Sequence, residues 1–216
     1  MTESTAIAGA APEALPDGIG VRIETPSPRA GRRIDALLDA AAHEVAARGR
    51  ESLTTGDVAA RAEVSIGTVY RYFPDRTALL EALGTRARLR LHRHLDEILA
   101  IAAADDASVA RAIVAAIRAT RDAEPSYLAL GIGDRVDPVD AFDAEAAWIE
   151  ATGPAVAALV ALGADAWRAR TATLRAAMLV DAMVRAGGAD DARVLDVVAI
   201  EAVRRSLDPE AFAEAA

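Results

Sequence analysis

Residues 53–80 read LTTGDVAARAEVSIGTVYRYFPDRTALL, a stretch with two helix start signals separated by a short turn. Thr54 followed by Asp57 resembles a capping box in which Asp replaces the usual Glu. Ser65 is a favourable N-cap for a second helix, and Pro74 ends that helix because proline disfavours helical geometry in the residue before it. The stretch therefore predicts two short helices joined by a tight turn.

The second of these helices is predicted to have two unlike faces. At about 100° per residue, Ile66, Val69 and Phe73 share one face, which we expect to pack on the preceding helices. The opposite face is small or polar and has a tyrosine on either side: Gly67, Thr68 and Arg71, flanked by Tyr70 and Tyr72. Such a face suits a helix that enters the major groove of DNA.

Each side chain of this second face has a chemical partner on DNA. Glycine permits close approach, threonine contacts a base edge or a methyl group, and arginine pairs with guanine through two hydrogen bonds. The tyrosine hydroxyl groups are placed to reach phosphates on the two walls of the groove. The alternative from these residues alone is a capped structural turn with solvent-exposed Thr68 and Arg71.

Helical periodicity continues on both sides of this stretch. Upstream, apolar residues recur at spacings of three and four from Arg32 to Gly49, a residue that suits the left-handed end of a helix. Downstream, a fourth helix starts near Asp75 and continues past Ile98. Further periodic segments follow at about 106–123, 125–131, 139–152, 154–162, 164–186 and 190–207, with a break expected at Thr152-Gly153-Pro154.

The fold predicted from these segments is all-α, with about nine helices. No segment keeps the period of two that a half-buried strand requires. Residues 1–28 mix Gly, Pro, Ser and Thr without periodicity, and we expect them to form a disordered tail. Residues 29–78 are expected to form a three-helix helix-turn-helix domain, and residues 79–216 a larger C-terminal helical bundle.

Charge is distributed unevenly along the chain, whose formal net charge is −9. Residues 29–94 hold twelve arginines against eight acidic residues, whereas residues 95–216 hold eleven arginines against twenty-one. The tail of residues 1–28 has a net charge of −3. A basic segment joined to an acidic one indicates that the basic part binds a polyanion such as nucleic acid. The alternative is a chance segregation of charge on a solvated surface.

The composition also excludes several kinds of chemistry. The chain has no Cys and no Lys, which removes disulfides, thiolate nucleophiles, Schiff-base catalysis and a P-loop lysine. Its three histidines all precede residue 95, and His92 and His94 point to different sides of a helix, so we expect no metal site. Neither an enzyme nor a cofactor is expected. No apolar run is long enough to span a bilayer, and the N-terminus lacks the features of a secretory signal, so we expect a cytoplasmic protein without membrane contact.

The quoted stretch resembles the DNA-binding domain of the tetracycline-repressor (TetR) family of bacterial transcription regulators. The resemblance lies in the capped helix, the A-A-R-A at its end, V-S-I-G-T-V-Y-R-Y-F, and a basic residue before A-L-L, over about residues 30–82. It implies a dimer on a pseudo-palindromic operator of double-stranded DNA. It implies that Thr54 is an N-cap that contacts phosphate, and that Ser65, Gly67 and Thr68 contact bases at the start of the recognition helix. It also implies that Tyr70 and Tyr72 contact the DNA backbone. Arg76 would be the phosphate-binding cation at the start of the fourth helix.

One residue departs from the family pattern. The family usually has glycine in the turn where this chain has Glu63. If that position is left-handed, a residue with a β-carbon costs on the order of 1 kcal/mol there relative to glycine. The substitution also places an acid near the DNA.

The resemblance further implies that the C-terminal helices enclose a ligand and that the last two long helices pair with a second subunit. Apolar residues on both helices supply the surface for such a homodimer, although they also suit an intramolecular core: Trp167, Leu174, Met178 and Val184, with Val194, Leu195, Val198, Ala202 and Val203. The residues expected at the ligand site are Tyr127, Phe142, Trp148, Met178 and Asp181. The alternatives are ordinary core positions for the first four and an i, i+4 pair with Arg185 for Asp181.

The predicted function is therefore that of a repressor, which an unknown small-molecule effector releases from its operator. A ligand that favours one state of a two-state dimer shifts the spacing of the two DNA-binding heads. The alternative is a ligand-independent or architectural DNA-binding protein whose helical C-terminal domain is purely structural.

Overall fold

The computed structural model describes residues 27–130, 141–187 and 191–208, the side chains of residues 141–145 excepted. Within these ranges the chain forms nine α-helices, one short 3-10 helix at Arg50–Ser52 and no strand, so the all-α prediction is confirmed. None of the helices described is long and apolar enough to cross a membrane. Of the expected tail, residues 1–26 lie outside the described residues. The helices are α1 (Pro28–Arg48), α2 (Thr55–Arg61), α3 (Ile66–Tyr72), α4 (Arg76–Ala102), α5 (Asp106–Ala123), α6 (Ala141–Ala151), α7 (Gly153–Ala161), α8 (Ala166–Arg185) and α9 (Ala192–Leu207).

Side-chain caps determine where the helices of the helix-turn-helix begin. The Thr54 hydroxyl accepts the backbone N–H of Asp57 at 3.1 Å, and the Ser65 hydroxyl accepts the backbone N–H of Thr68 at 3.2 Å. Asp75 caps α4 in the same way. Each cap satisfies a backbone N–H that has no partner within its helix. The start signals in the sequence therefore correspond to the helix starts in the structure.

The helix bounds differ from expectation at one segment. The break expected at Thr152-Gly153-Pro154 does separate α6 from α7, and Pro154 lies in the first turn of α7, where a missing N–H costs nothing. The segment expected to be helical over 125–131 is instead a turn over residues 125–130. Within that turn the N–H of Leu130 bonds to the carbonyl of Ser126 at 2.8 Å.

Two clusters of buried apolar side chains organise the helices. The first, which we call the N-terminal core, is formed by α1 to α3, the start of α4 and Leu130. The second, the C-terminal core, is formed by the rest of α4 and by α5 to α9 together with Tyr127. Helix α4 contributes Leu83 to the first core and Leu91 to the second. The domain boundary expected at residue 78 thus falls inside a continuous helix.

Helix α3 packs on the N-terminal core through fewer residues than expected. Val69 and Phe73 are fully buried, as predicted. The prediction for Ile66 is wrong, because this residue is 49% exposed. Ile66 is the first residue of α3, and β-carbons tilt toward the N-terminus of a helix, so its side chain projects past the helix end instead of over the core.

The turn between α2 and α3 places Glu63 in the left-handed region, at φ 54°. Among the non-glycine residues of the described ranges, it is the one with a positive φ. The N–H of Val64 bonds to the carbonyl of Ala59 at 3.0 Å and closes the turn. The cost of a β-carbon at a left-handed position therefore applies to Glu63.

Glu63→Gly is expected to stabilise the protein by up to about 1 kcal/mol, because glycine has no steric penalty at this backbone conformation. Urea unfolding followed by circular dichroism measures the gain. Glu63→Ala is the matched control, since it removes the charge and keeps the β-carbon, and it should bring no comparable gain. Equal stability of Glu63→Gly and the unsubstituted protein would contradict the strain at this turn.

Candidate nucleic-acid interface and its link to the C-terminal core

The outer face of α3 has no packing role in the protein. Gly67 is exposed, and a β-carbon there would meet no atom nearer than Ser65 Oγ at 3.9 Å, so internal packing does not require glycine. Arg71 is exposed and has no hydrogen bond or ion pair with any described residue. Tyr70 is also exposed, and its hydroxyl accepts a hydrogen bond from Thr55 Oγ1 at 3.2 Å. The face is available to an external partner.

Ser65 and Thr68, which are predicted to contact bases, are hydrogen-bonded to each other through their hydroxyl groups. Ser65 Oγ and Thr68 Oγ1 lie 2.9 Å apart, in addition to the cap between Ser65 and the N–H of Thr68. Thr54 is engaged as well, because its hydroxyl donates to Asp57 Oδ2 at 2.5 Å. This bond, with the ion pair from Arg48 at 3.0 Å, lowers the pKa of Asp57. These hydroxyl groups first of all fix the helix starts, and their DNA contacts stay predictions.

Arg76 does not project freely from the start of α4. Its Nη2 donates to the backbone carbonyl of Arg50 at 2.6 Å and lies 3.7 Å from Glu51 Oε2. The guanidinium of Arg76 therefore ties α4 to the 3-10 helix. The predicted phosphate contact requires Arg76 to exchange these partners for DNA.

Tyr72 lies in the N-terminal core and is only 8% exposed. Its ring therefore packs within that core, and the predicted phosphate contact of its hydroxyl stays a prediction. A phosphate contact from Tyr72 would have to come from its hydroxyl at the edge of the core. Tyr70, the other predicted flanking residue, is the exposed one of the pair.

Sequence reasoning did not single out the arginines at the start of α1. Arg29, Arg32 and Arg33 are exposed and form no ion pair with a described residue. Of the three, Arg29 lies in the first turn of α1, where a positive side chain opposes the helix dipole at a cost of about 0.3–1 kcal/mol. A basic residue at that position is a signal in the sequence that favours contact with an anion.

A buried ionic group joins the N-terminal core to the C-terminal core. Arg86, on α4, donates to the Glu124 carboxylate from Nε at 2.9 Å and from Nη2 at 3.0 Å. Its Nη1 donates to Asp39 on α1 at 2.8 Å. Arg90 and the Ser126 hydroxyl each donate to Glu124 as well, both at 3.0 Å. We call these five residues the junction.

The junction holds charges that are expensive to bury alone. Burial would by itself lower the pKa of Arg86, but the carboxylates of Glu124 and Asp39 outweigh burial and raise that pKa above its usual value. Glu124 is completely buried. Removing one partner of a buried ion pair typically costs about 3–5 kcal/mol. The junction therefore keeps α1, α4 and the end of α5 in one arrangement.

The turn after α5, residues 124–130, contacts both cores. Leu130 belongs to the N-terminal core, and Tyr127 belongs to the C-terminal core. The Tyr127 hydroxyl donates to Asp181 Oδ1 on α8 at 2.5 Å. Burial, and after it the charge of Asp181, raises the pKa of Tyr127 well above its usual value of 10.0, so the phenol keeps its proton. Polar contacts thus continue from α8 through this turn to α1.

Of the five residues expected at a ligand site, two are brought together. Tyr127 and Asp181 form the hydrogen bond just described, which is a closer partnership for Asp181 than the expected pair with Arg185, 3.9 Å away. Trp148 is buried in the same core. Met178 is half-exposed on α8, apart from the buried pair of Tyr127 and Asp181, and its role in a pocket wall stays a prediction. The side chain of Phe142 lies outside the described residues.

A cleft of about 500 Å³ lies elsewhere, where α4 passes to α5, α7 passes to α8, and α9 ends. None of the five predicted ligand residues lines it. Its wall contains the acidic side chains Asp105, Asp106 and Asp165, of which Asp105 and Asp165 cap helices. The ligand site predicted around Tyr127 therefore remains a prediction.

The family model described as "Bacterial regulatory proteins, tetR family" matches residues 37–83. That segment contains the capped turn, α3 and the first part of α4. The resemblance to the TetR family is confirmed. Among curated proteins, no sequence matches the chain significantly.

Solved structures of TetR regulators extend the likeness to most of the chain. A TetR-family transcriptional regulator from Streptomyces coelicolor has a TM-score of 0.62 at 23% identity, over 81% of this chain and 97% of that one. The multidrug binding protein EbrR, complexed with imidazole, has a TM-score of 0.60 at 20% identity, over 85% and 97%. A TetR variant from Acinetobacter baumannii AYE, in complex with minocycline, has a TM-score of 0.55 at 20% identity, over 80% and 93%. At these identities the likeness shows a shared fold, that of a TetR-family regulator.

The last two helices of this TetR fold expose an apolar stripe. Three of the residues expected at the subunit interface are instead buried within the subunit: Val184, Leu195 and Val203. Val198 is partly buried, whereas Val197, one residue before it, is 67% exposed. The exposed apolar residues of the stripe are Trp167, Met178 and Leu179 on α8, with Val194 and Val197 on α9.

Proposed function

We propose that this protein is a DNA-binding transcriptional regulator, a cytoplasmic repressor that a small-molecule effector releases from its operator. The observation that carries the DNA-binding part is the outer face of α3, where Gly67, Tyr70 and Arg71 are exposed without a packing role in a segment that matches the TetR family. Residues 29–78 would form the DNA-binding domain and residues 79–216 the regulatory one, with α4 common to both. The proposed role is not catalytic.

The test of DNA binding is a footprint of the purified protein on the DNA upstream of its own gene, followed by the variant Arg71→Ala. Arg71→Ala is expected to weaken operator binding by about 1–3 kcal/mol and to relax the preference at one base pair, because arginine pairs with guanine through two hydrogen bonds. Titration by fluorescence anisotropy on single-base operator variants measures both effects.

Tyr72→Phe is the comparison variant for this experiment. It keeps the ring that fills the N-terminal core and removes the hydroxyl, so a phosphate contact would be lost equally on all sequences. Equal operator affinity of Arg71→Ala and the unsubstituted protein would remove Arg71 from base readout. The absence of a footprint on any duplex would refute the proposed function.

The exposed stripe on α8 and α9 supports a homodimer. Isolated exposed apolar residues are ordinary, but a contiguous apolar patch on adjacent helices indicates an interface. Trp167, Met178 and Val197 have the bulk that buried interface centres favour. Two identical heads imply a pseudo-palindromic operator whose half-sites lie about 34 Å apart or a multiple of that distance.

Val197→Glu is expected to separate the dimer and to lower operator affinity with it, because the carboxylate would be buried without a partner at the interface. Sedimentation velocity at micromolar concentration measures the oligomeric state. The matched control is Ile101→Glu, the same kind of change at a residue that is 91% exposed at the end of α4, and it should leave a dimer. A monomeric unsubstituted protein, or a dimeric Val197→Glu, would contradict this interface.

Effector control is supported by the polar path from Asp181 to Asp39. A buried polar pair inside an apolar core is a candidate ligand contact, and Tyr127 and Asp181 form such a pair beside Trp148. A ligand that takes the place of the Tyr127 hydroxyl at Asp181 would move the turn that carries Glu124. Arg86 would pass that movement to α1, which belongs to the N-terminal core on which α3 packs.

To release the operator, such a ligand has to bind the DNA-free arrangement of the protein more tightly than the DNA-bound one. Operator binding that is 100-fold weaker requires about 2.7 kcal/mol of coupling, which corresponds to the rupture of one or two hydrogen bonds to charged groups. Relatives in the fold were solved with imidazole and with minocycline. The chemistry of Asp181 suits a ligand with a hydrogen-bond donor or a positive charge.

A thermal-shift screen that begins with imidazole and minocycline, with each hit retested for operator release, separates this proposal from a ligand-independent protein. For a hit, Asp39→Asn is expected to keep ligand binding but to reduce operator release several-fold, because it removes the charge that Arg86 pairs with on α1 and leaves the weaker bonds to the Asn amide and to the Leu38 carbonyl at 3.4 Å. Asp39 is largely exposed, so the substitution leaves no buried charge unpaired.

Asp122→Asn is the control for this experiment, since it removes an exposed ion pair with Arg121 outside the junction. It should leave ligand binding and operator release as they are. Full release in Asp39→Asn would refute the junction as the route of coupling. A screen in which no compound both binds and releases the operator would favour the ligand-independent alternative.

A further inference from the structure

Ile66 is a large apolar side chain that the fold does not use. It is 49% exposed, whereas Val69, one turn further along α3, is completely buried. An exposed β-branched residue brings a short helix no advantage in propensity. At the start of α3, one turn before the exposed Tyr70, its side chain is available for a contact outside the protein.

The surroundings of Ile66 form one continuous surface. Ile66, Gly67, Tyr70 and Arg71 follow one another at the spacing of neighbours on a helix, and all four are exposed. Gly67 adds no side chain to this surface, and among residues other than its two chain neighbours the nearest side-chain atom to a β-carbon built there is Ser65 Oγ at 3.9 Å. The surface is apolar at the start of the helix and ends in a free guanidinium at Arg71.

The hydroxyl groups next to Ile66 do not make this part of the surface polar. Ser65 Oγ and Thr68 Oγ1 are bonded to each other at 2.9 Å, and the Ser65 hydroxyl also accepts the N–H of Thr68. Their hydrogen-bonding capacity is directed along the helix start. The first turn of α3 therefore presents the branched side chain of Ile66 as its main outward feature.

We propose that Ile66 selects a thymine in each operator half-site by packing on its C5 methyl group. This proposal rests on the proposed DNA binding. In the major groove the thymine methyl is the one apolar group on a base edge, whereas cytosine and adenine present amino donors and guanine presents acceptors. Ile66 would leave such a donor or acceptor desolvated and unpaired, which is unfavourable. The contact thus favours thymine and disfavours the other three bases.

Uracil in place of thymine tests the methyl contact, since the two bases differ by that methyl group alone. Once the footprint defines the half-site, each thymine is replaced in turn, in both half-sites together. One position is expected to weaken binding by about fourfold per half-site, the factor that burial of one methyl group is worth. The remaining positions should change little.

Ile66→Ala assigns the effect to this side chain. On the thymine operator it is expected to bind several-fold more weakly than the unsubstituted protein, and the difference between thymine and uracil at the sensitive position should disappear. Ile66→Val should keep most of that difference. Ile101→Ala, the same truncation at an exposed isoleucine far along α4, should keep all of it.

The outcomes are distinguishable. A thymine-to-uracil difference that is as large in Ile66→Ala as in the unsubstituted protein overturns the proposal, and so does a half-site with no uracil-sensitive position. In both cases an operator that still depends on Arg71 leaves the proposed function standing. A protein with no footprint on any duplex overturns both. An unchanged thermal unfolding midpoint of Ile66→Ala shows that any loss arises in binding.

Discussion

The buried pairing of Arg86 with Glu124 is the contact on which the relation between the two halves of the protein depends. Two charges in a dry interior are tolerated only when every hydrogen-bonding group finds a partner. Here Arg86 has the two oxygens of Glu124 and the carboxylate of Asp39, and Glu124 has Arg90 and Ser126 in addition. Because Arg86 and Glu124 lie on α4 and in the turn after α5, these two elements cannot separate without leaving a buried charge unpaired. Asp39 is largely exposed, so α1 is held to this pair less strongly.

The N-terminal domain leaves fewer arginines available for external contacts than its composition implies. Several of its arginines are neutralised within the fold: Arg48 and Arg61 pair with Glu44, and Arg76 is held by the carbonyl of Arg50. The hydrogen bonds from Arg61 and Arg48 lower the pKa of Glu44, so that this carboxylate stays charged to a lower pH than an isolated glutamate does. The positive charge that remains for the proposed DNA contact is then concentrated at Arg71 and at the start of α1. The paired arginines hold the helix-turn-helix together.

Helix α4 belongs to both the N-terminal core and the C-terminal core. Its first turns close the N-terminal core, its middle carries Arg86 and Arg90, and its later turns carry Leu91, Leu95 and Leu99 into the C-terminal core. A continuous helix transmits a displacement along its axis because its backbone hydrogen bonds resist local bending. The turn of residues 124–130 works alongside it, with Tyr127 in one core and Leu130 in the other. Together they form two physical connections between the C-terminal core and the N-terminal core that holds α3.

The local features of this protein follow from short-range physics, and they could be predicted from the sequence. Thr54, Ser65 and Pro74 mark helix ends through capping and the proline ring, and Val69 and Phe73 follow from a period of 3.6 residues. The strained position of Glu63 was expected only through the resemblance, because the family usually has glycine in this turn. These predictions needed no knowledge of distant residues.

The tertiary structure alone decided which partners the polar and end-of-helix side chains take. Periodicity placed Ile66 on the packing face and did not show how far Tyr72 is buried, because a helix of seven residues has end effects along most of its length. Nothing in the sequence links Arg86 to residues 47 and 38 positions away at Asp39 and Glu124, or Tyr127 to Asp181. Such contacts depend on the angles at which whole helices pack, and those angles arise from the summed fit of many side chains rather than from any one stretch of the chain.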